Sequence, residues 1–313
     1  MPLINRCGGG GGTPQLCGQV ENFEAKPGNL SVILSWTAPS PDEDNSFVGA
    51  RIVRKIGSAP TGIYDGTVVY EGTALSYTDT GLTAGTTYYY RAFAYNARTK
   101  YQTAYRVISK TAMTLNSNFA DNTWDKIIEV CHSGSVPDTW VAGDSKTMTI
   151  DGADYLVDII GKSHDTYTAG GIAPLTFQLH DCLSTTYAWK STWDNLLTKL
   201  PESIQNAIKS VSKMINNESV SAKLFSLTEN EVFGTKKYAD YPEGTQYAYY
   251  AAGNSKIKKV GRNAAEWWLS SLGPVVVNAS QYFIYVSETG SLATATPSFP
   301  NSKKAYVAFA FCF

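Results

Sequence analysis

The amino-acid sequence predicts a multidomain protein in which an all-β sandwich is followed by an α+β domain. Residues 19–112 contain about seven short apolar segments separated by turn residues, which is typical of a sandwich. Residues 113–313 mix segments of helical and of strand periodicity, which indicates an α+β domain. Residues 1–18 include five consecutive glycines and form a separate segment. A chain of 313 residues suits about two domains.

Composition restricts the class of function. Charged residues are 17% of the chain and the net charge is -1, so no basic surface for nucleic acid is expected. No apolar run approaches the roughly 18 residues of a spanning helix, so no membrane span is expected. The N-terminal MPLINRC lacks the basic and apolar regions of a secretory signal, and none is expected. The 20 tyrosines and 7 tryptophans are typical both of binding surfaces and of aromatic β cores.

The glycine-rich segment, residues 1–18, is interpreted either as a flexible linker or as an anchor in a larger assembly. Glycine loses the most entropy on ordering, so the run forms no helix or strand alone. Inside an assembly, however, a glycine backbone allows close packing. The cysteines that bracket the run do not have a zinc-site spacing. The residues assigned to the anchor are Cys7, Gly8, Gly9, Gly10, Gly11, Gly12 and Cys17.

Residues 19–112 show apolar alternation on successive segments. The segments NLSVILSW, FVGARIVRK, GTVVYEG, YYYRAFAYN and YRVISKTA are predicted as strands. On two of these strands, the residues predicted to share one face are Leu30, Val32, Leu34 and Trp36, and Tyr88, Tyr90, Ala92 and Ala94.

Two motifs in this segment carry a resemblance. Trp36 ends the second strand, and GLTAGTTYYYRAFAYN contains Leu82, then Gly85 and a threonine, then Tyr88. This spacing resembles the signature and tyrosine corner of fibronectin type III domains, across the whole of residues 19–112. The resemblance implies structural roles for Trp36 and Tyr88 and a spacer or contact module as the function. The fold alone does not define a function.

Residues 113–313 contain three predicted helices. DNTWDKIIEVCHSG is predicted as a helix with Asn122 as N-cap and Gly134 as its C-terminal stop. WKSTWDNLLTKL and PESIQNAIKSVSKMI are predicted as two more, the latter with Pro201 in its first turn. The apolar positions on these two helices are Trp189, Trp193, Leu196 and Leu200, and Ile204, Ile208, Val211 and Ile215.

Strands are predicted around these helices. A hairpin turns at Asp151 and Gly152, and TFQLHDCL, QYFIYVS and the closing AYVAFAFCF follow as strands. The last segment is apolar on both faces, as in a strand buried on both sides.

An ordered set of motifs in this part carries a second resemblance. GDSKTMTIDGADYLVDIIGKSHD, LTFQLHDCL, LPESIQNAIKSVSK, KLFSLTENEVFG, EWWLSSLG and AFAFCF resemble a domain of formally unknown function with a C-type-lectin-like core. The family is common in bacterial surface proteins and in tail proteins of phages that infect Gram-positive bacteria. Its usual forms are WWLRSP and RPAFCF. Here Ser271 follows Ser270 without a proline, and Ala308 and Phe309 replace Arg-Pro.

The adjacent Trp267 and Trp268 raise a specific question, because neighbouring residues of a strand point to opposite faces. The pair is either a ligand platform or a structural element. The resemblance implies a strand covered on both faces. Trp267 and Trp268 are therefore predicted to be structural.

Binding is expected on two stretches near the end of the chain, NASQYFIYVSETG and LATATPSFPNSKK. They combine aromatic with small polar residues, as binding loops do. Ordinary surface loops are the alternative. The predicted ligand-binding residues are Asn278, Gln281, Phe283, Tyr285, Phe299, Asn301 and Ser302.

No metal, cofactor or enzymatic activity is expected. His132, His164 and His180 lack the spacing of a metal site and are interpreted as structural. The Glu-Pro-Asn and Gln-Pro-Asp triplets of calcium lectins are absent. A Ser-x-x-Lys match at residues 210–213 is assigned to a helix and has no partner motif. The five cysteines are predicted to be reduced and mostly buried.

The expected function is that of a phage virion structural protein. We expect a tail fibre or receptor-binding protein whose lectin-like domain recognises a host-surface glycan or protein without covalent chemistry. Its N-terminus would bind other virion proteins, and a homo-oligomer such as a trimer would multiply weak contacts. The alternatives are a head fibre that decorates the capsid, anchored by the glycine-rich segment, and an adhesin on a bacterial cell surface.

Overall fold

The computed structural model describes residues 18–39, 47–96, 109–186, 193–241, 243–275, 281–295 and 305–313. The chain divides into two compact units, and the division falls between Asn116 and Ser117. Among the described residues, no helix combines the length and the apolar character needed to cross a membrane.

The first unit is a β-sandwich of two antiparallel sheets. Its strands are β1 (Glu21–Gly28), β2 (Ser31–Thr37), β3 (Phe47–Ile56), β4 (Thr67–Gly72), β5 (Ser76–Thr80), β6 (Thr87–Asn96) and β7 (Ser109–Met113). One sheet has the order β1-β2-β5 and the other β4-β3-β6-β7. This two-sheet arrangement confirms the all-β sandwich predicted for this part of the chain.

Alternation along β2 and β6 builds the core of this sandwich. Trp36 is buried and its ring contacts Tyr70 at a centroid distance of 5.4 Å. Tyr88 is also buried, and its hydroxyl accepts a hydrogen bond of 3.1 Å from the backbone N–H of Thr83. The prediction for Leu30 is wrong. This residue precedes β2 in a turn with φ 45° and its side chain is exposed, because the chain reverses there.

The second unit is built mainly from strands, with few and short helices. Its strands are β8 (Ser145–Ile150), β9 (Ala153–Lys162), β10 (Leu175–Leu179), β11 (Val211–Ile215), β12 (Glu218–Ala222), β13 (Lys258–Val260), β14 (Asn263–Ala265), β15 (Trp267–Val275), β16 (Gln281–Val286), β17 (Leu292–Ala295) and β18 (Ala310–Cys312). Its helices are α1 (Trp124–Ser133), α2 (Trp193–Leu197), α3 (Glu202–Ala207), α4 (Glu229–Phe233) and α5 (Ala248–Ala251). The main sheet has the order β18-β10-β9-β8, and β15-β16-β17 form a second sheet.

Local sequence explains where α1 and the β8–β9 hairpin begin and end. Thr123, and not the predicted Asn122, is the N-cap of α1, since its side chain accepts from the backbone N–H of Lys126. Gly134 ends the helix with φ 68°, as predicted. Asp151 and Gly152 have φ of 51° and 80°, which matches the two-residue type I′ turn of a tight hairpin.

The predicted helix over PESIQNAIKSVSKMI is wrong in its second half. Helix α3 ends at Ala207, and the residues that follow form the antiparallel hairpin β11–β12. Asn216 and Asn217 lie between the strands with φ of 52° and 64°. Asparagine tolerates this left-handed conformation, and the type I′ turn that it makes joins strands. Only residues 193–197 of the other predicted helix are helical among the described residues, and Trp189 lies outside them.

The closing segment fills the centre of the second unit. Phe309, Phe311 and Phe313 are each fully buried, although β18 comprises only three residues. The ring centroid of Phe177 on β10 lies 5.3 Å from the ring centroids of both Phe311 and Phe313. Burial of both faces of the segment agrees with its continuous apolar sequence.

Candidate functional site

The two adjacent tryptophans point to opposite sides of the sheet β15-β16-β17. In the register of this sheet, Trp267 lies opposite Val286 and Trp268 lies opposite Tyr285. Trp267 is 0% exposed and Trp268 is 4% exposed, so both rings are covered. Two different sets of residues provide this cover.

Trp267 faces the interior of the second unit. It shares its face of the sheet with Ile284 and Val286, which are fully buried. Its indole N–H donates to the carbonyl of Lys256 at 3.0 Å, and the ammonium of Lys258 lies 5.4 Å from the ring centroid. This ring is part of the core.

Trp268 is covered on the other face by two aromatic residues of β16. Phe283 and Tyr285 contact it edge to face, with centroid distances of 6.4 Å and 5.9 Å. Both are half-buried and thus still present surface to solvent. We refer to Trp268, Phe283 and Tyr285 as the aromatic platform. Phe283 and Tyr285 are the predicted binding residues that the structure brings together, on a tryptophan that was predicted to be structural.

The remaining predicted binding residues lie wholly or in their side chains outside what the structure describes. Gln281 begins β16, but its side chain is not among those described. The predicted residues Asn278, Phe299, Asn301 and Ser302 lie outside the described residues, as do the predicted anchor residues Cys7, Gly8, Gly9, Gly10, Gly11, Gly12 and Cys17. The edge of the platform is β17, which pairs with β16 from Leu292 to Ala295.

A buried cluster of charges lies in the same unit and was missed by sequence reasoning. The ammonium of Lys213 contacts the carboxylates of both Asp165 and Glu231, at 2.9 Å for Asp165. The hydroxyls of Tyr247 and Thr176 donate to Asp165. We refer to these five residues as the buried charge cluster.

The protonation states of the buried charge cluster follow from its contacts. Burial opposes the charge of Lys213, but Glu231 and Asp165 outweigh burial and raise the pKa of its ammonium above the usual value. Burial likewise opposes ionisation of Asp165, but Lys213 and the hydrogen bonds to the carboxylate lower its pKa. Lys213 and Asp165 are therefore held as an ion pair, which fixes β11 to the loop after β9.

Lys213 also ends the Ser-x-x-Lys match, which lies on β11 and not on a helix. A lysine that acts as a base must give up its proton readily, whereas the contacts of Lys213 hold the proton in place. The structure therefore gives this lysine an ion-pairing role. The sequence signal was too weak to find it, because its two partners lie 48 and 18 residues away along the chain.

Two further buried carboxylates hold the loop after α4. Glu229 accepts hydrogen bonds from the backbone N–H groups of Tyr238 and Ala239, the latter at 2.6 Å. Glu243 accepts from the hydroxyl of Ser271 at 2.5 Å, and burial raises the pKa of this carboxyl. Ser271 lies on β15, so its bond to Glu243 connects the loop to the strand that carries Trp268.

The three histidines lie in three different environments. Nδ1 of His180 lies 2.8 Å from the carboxylate of Asp158, which raises the pKa of the imidazole. The ring of His164 stacks on that of Tyr247 with a centroid distance of 3.9 Å, and burial lowers the pKa of the His164 imidazole. His132 is exposed. Over the ranges that the structure describes, no three His, Cys, Asp or Glu side chains are grouped to hold a metal ion.

The described cysteines have the character of core residues. Cys131, Cys182 and Cys312 are free and buried, as predicted. Burial raises the pKa of Cys131 and of Cys182 to about 12. A thiol with such a pKa is protonated at neutral pH and is a poor nucleophile.

The sequence identifies the family of the second unit. A model of the domain of unknown function DUF6273 matches residues 111–302, which is more than half of the chain. The chain therefore belongs to the DUF6273 family. No curated protein matches the sequence.

Similar solved structures have low overall similarity. The fibronectin type III domain of human fibronectin type III domain containing protein 3 is 19% identical, covers 36% of this chain and 100% of its own, and has a TM-score of 0.28. The twitchin kinase region from C. elegans is 19% identical. The alignment covers 31% of this chain and 17% of the twitchin chain, with a TM-score of 0.24. A rhamnogalacturonan lyase from Bacillus licheniformis is 11% identical. The alignment covers 92% of this chain and 43% of the lyase, with a TM-score of 0.20.

Proposed function

We propose that this protein is a structural component of a phage virion, a tail fibre or receptor-binding protein with a C-type-lectin-like second unit. That unit recognises a glycan or protein on the host cell surface without covalent chemistry. The observation that carries the proposal is the aromatic platform. Phe283 and Tyr285 are held by a paired strand on one side and by Trp268 beneath them, yet neither side chain is fully buried.

Fixed aromatic rings favour recognition for a physical reason. A tyrosine or phenylalanine that is already immobilised loses little entropy when a ligand packs against it. The hydroxyl of Tyr285 adds a hydrogen-bonding group beside the apolar surface. Contacts of this kind are individually weak, and several copies of the chain on one particle strengthen them by avidity.

The order of the units supports the same proposal. A fibronectin type III-like sandwich acts as a spacer, and it separates the glycine-rich residues 1–18, assigned to the anchor, from the recognition unit. The protein then lies on the surface of the particle, with other virion proteins bound to its N-terminal segment.

Binding of the full chain to cells tests the proposal. The protein is multimerised on fluorescent beads and applied to a panel of Gram-positive strains and to their isolated cell walls. We expect saturable binding to a few strains. Absence of binding to every strain and wall preparation, while the chain still incorporates into particles, would instead support a decoration role on the capsid.

Substitutions locate the binding surface. We expect Phe283→Ala and Tyr285→Ala each to reduce cell binding at least about tenfold, the effect of about 1.4 kcal/mol. Because both rings pack on Trp268, the melting temperature of each variant is measured alongside its binding. Tyr285→Phe keeps an aromatic ring over Trp268 and therefore tests the hydroxyl alone. The control is Tyr64→Ala, because Tyr64 is 78% exposed and lies in the first unit. Unchanged binding by folded Ala variants would exclude the platform.

A further inference from the structure

A groove of about 550 Å³ opens on the second unit, away from the residues of the aromatic platform. Residues 167–170 form one wall. The other wall is formed at the open end of the β11–β12 hairpin, by residues just before β11 and at the end of β12. Its volume lies within the range of roughly 300–1,000 Å³ that is common for small-ligand sites. The side chains that matter are those of Tyr167, Thr168, Lys209, Ser210, Ser221 and Lys223.

The walls of this groove are held by backbone hydrogen bonds. The N–H of Thr168 donates to the carbonyl of Ser210 at 2.9 Å, and Tyr167 forms a β-bridge with Val211. The N–H of Tyr167 donates to the carbonyl of Gly171 at 2.9 Å, which closes the turn. The groove is thus preformed, which lowers the entropy cost of filling it.

The charge of the groove is positive. Lys209 and Lys223 are exposed, and neither forms an ion pair with a described residue. Exposed Lys199, by contrast, pairs with Asp151 at 2.6 Å. Within the part of the chain that the structure describes, no acidic side chain lines the groove. Two ammonium groups with no acidic side chain beside them in the groove attract an anion.

The other lining groups suit a saccharide. The ammonium of Lys209 lies 5.1 Å from the ring centroid of Tyr167, so cation and aromatic ring are offered together. The hydroxyls of Thr168 and Ser221 lie 3.0 Å apart and can each donate or accept. Hydroxyl groups next to an aromatic ring and two cations match a sugar that carries an acidic substituent.

We propose that this groove binds an anionic saccharide, in which a phosphate or a carboxylate contacts Lys209 and Lys223. The sugar hydroxyls bond to Thr168 and Ser221, and Tyr167 contacts the sugar ring. Two lysines are too few for a nucleic-acid strand, whose binding needs a longer basic track. The groove and the aromatic platform share no residue, so this site does not depend on the proposed function above.

Titration calorimetry of the full chain tests the groove at low ionic strength. The probes are a phosphorylated glucose oligomer, a uronic-acid oligomer and a neutral glucose oligomer of the same length. We expect binding of one or both acidic probes and none of the neutral one. Preference between the two acidic probes distinguishes phosphate from carboxylate. Equal binding of the neutral oligomer, or equal binding of single-stranded DNA, would overturn the proposal.

Charge-neutral variants assign the binding to the groove. Lys209→Gln and Lys223→Gln should each weaken binding of the acidic probe about tenfold, and the double variant should abolish it. Lys259→Gln, an exposed lysine outside the groove, removes the same charge and should leave the affinity unchanged. Wild-type affinity in the double variant, or the same loss in Lys259→Gln, would contradict the groove as the site.

The two proposals fail separately. If the chain binds acidic oligomers but no cells, the groove stands and the receptor-binding function falls. If cells bind to the wild-type protein and to the Lys209→Gln/Lys223→Gln variant alike, while calorimetry shows no acidic probe bound, the groove proposal falls and the platform remains.

Discussion

At the scale of single residues, Lys213 shows what makes a buried charge tolerable in this chain. The ammonium is 4% exposed and is neutralised by Asp165 and Glu231, and Tyr247 and Thr176 complete the hydrogen bonding of Asp165. A buried ion pair of this kind contributes little compared with an apolar core, but removing one partner leaves the others uncompensated.

Lys213→Met is therefore expected to lower the free energy of unfolding by about 3–5 kcal/mol. Without the ammonium, Asp165 and Glu231 repel each other and the pKa of one of them rises. The folded variant then binds a proton that the unfolded chain does not bind, so its stability increases as the pH falls from 7 toward 5. Chemical denaturation at several pH values measures both effects.

The matched control is Lys259→Met, since Lys259 is exposed and the substitution should change stability by less than about 0.5 kcal/mol. If Lys213→Met is as stable as this control at pH 7, the ion pairs of the buried charge cluster do not contribute to the free energy of unfolding.

His180 gives a second prediction at this scale. Its pKa is raised by the hydrogen bond to Asp158, so its stabilising effect is complete below the ordinary value near 6.5 and is lost as the pH rises through the folded pKa. The ring is 44% exposed, which limits the effect to under about 1 kcal/mol. An NMR titration should place the pKa of His180 above 6.5. The wild-type protein should lose some free energy of unfolding between pH 6 and pH 8.5 as His180 loses its proton, and His180→Gln should not show this loss. A titration midpoint at or below 6.5 would contradict the Asp158 contact.

At the scale of elements, the β11–β12 hairpin depends on its turn. Asn217 has φ 64°, a conformation that glycine adopts freely and alanine does not. We expect Asn217→Gly to preserve or raise the melting temperature and Asn217→Ala to cost about 1–2 kcal/mol. The two variants share one position and serve as controls for each other. Equal melting temperatures for both would argue for a helix here, as the periodicity of the apolar residues suggested.

At the scale of the whole molecule, each unit has its own hydrophobic core. Trp36 is buried in the first unit and Trp140 in the second. Units with separate cores unfold as separate cooperative transitions, so we expect two transitions in calorimetry. Trp36→Ala should lower only one of them and Trp140→Ala only the other, each by about 3–5 kcal/mol. A single transition shifted by both substitutions would show that the two cores unfold together.

Much of the fold could be predicted from local patterns, whereas the site could be predicted only in part. The strands of the first unit, the Gly134 stop and the turn at Asp151 and Gly152 follow from alternation and from residues with special backbone preferences. Phe283 and Tyr285 were predicted to form a binding surface, but not to cover Trp268. That contact depends on the register of β15 against β16, and a shift of one residue would move every side chain to the other face.

The sequence by itself determined the two-part organisation, the sandwich and the burial of the closing segment, since each depends on periodicity within a few residues. Only the tertiary structure decided that residues 211–215 form a strand, since the apolar spacing there fits both periods and pairing with β12 selects one. It also decided the partners of Lys213 and the lining of the cationic groove. Both sites bring together side chains that are far apart along the chain, and a local sequence pattern cannot predict such contacts.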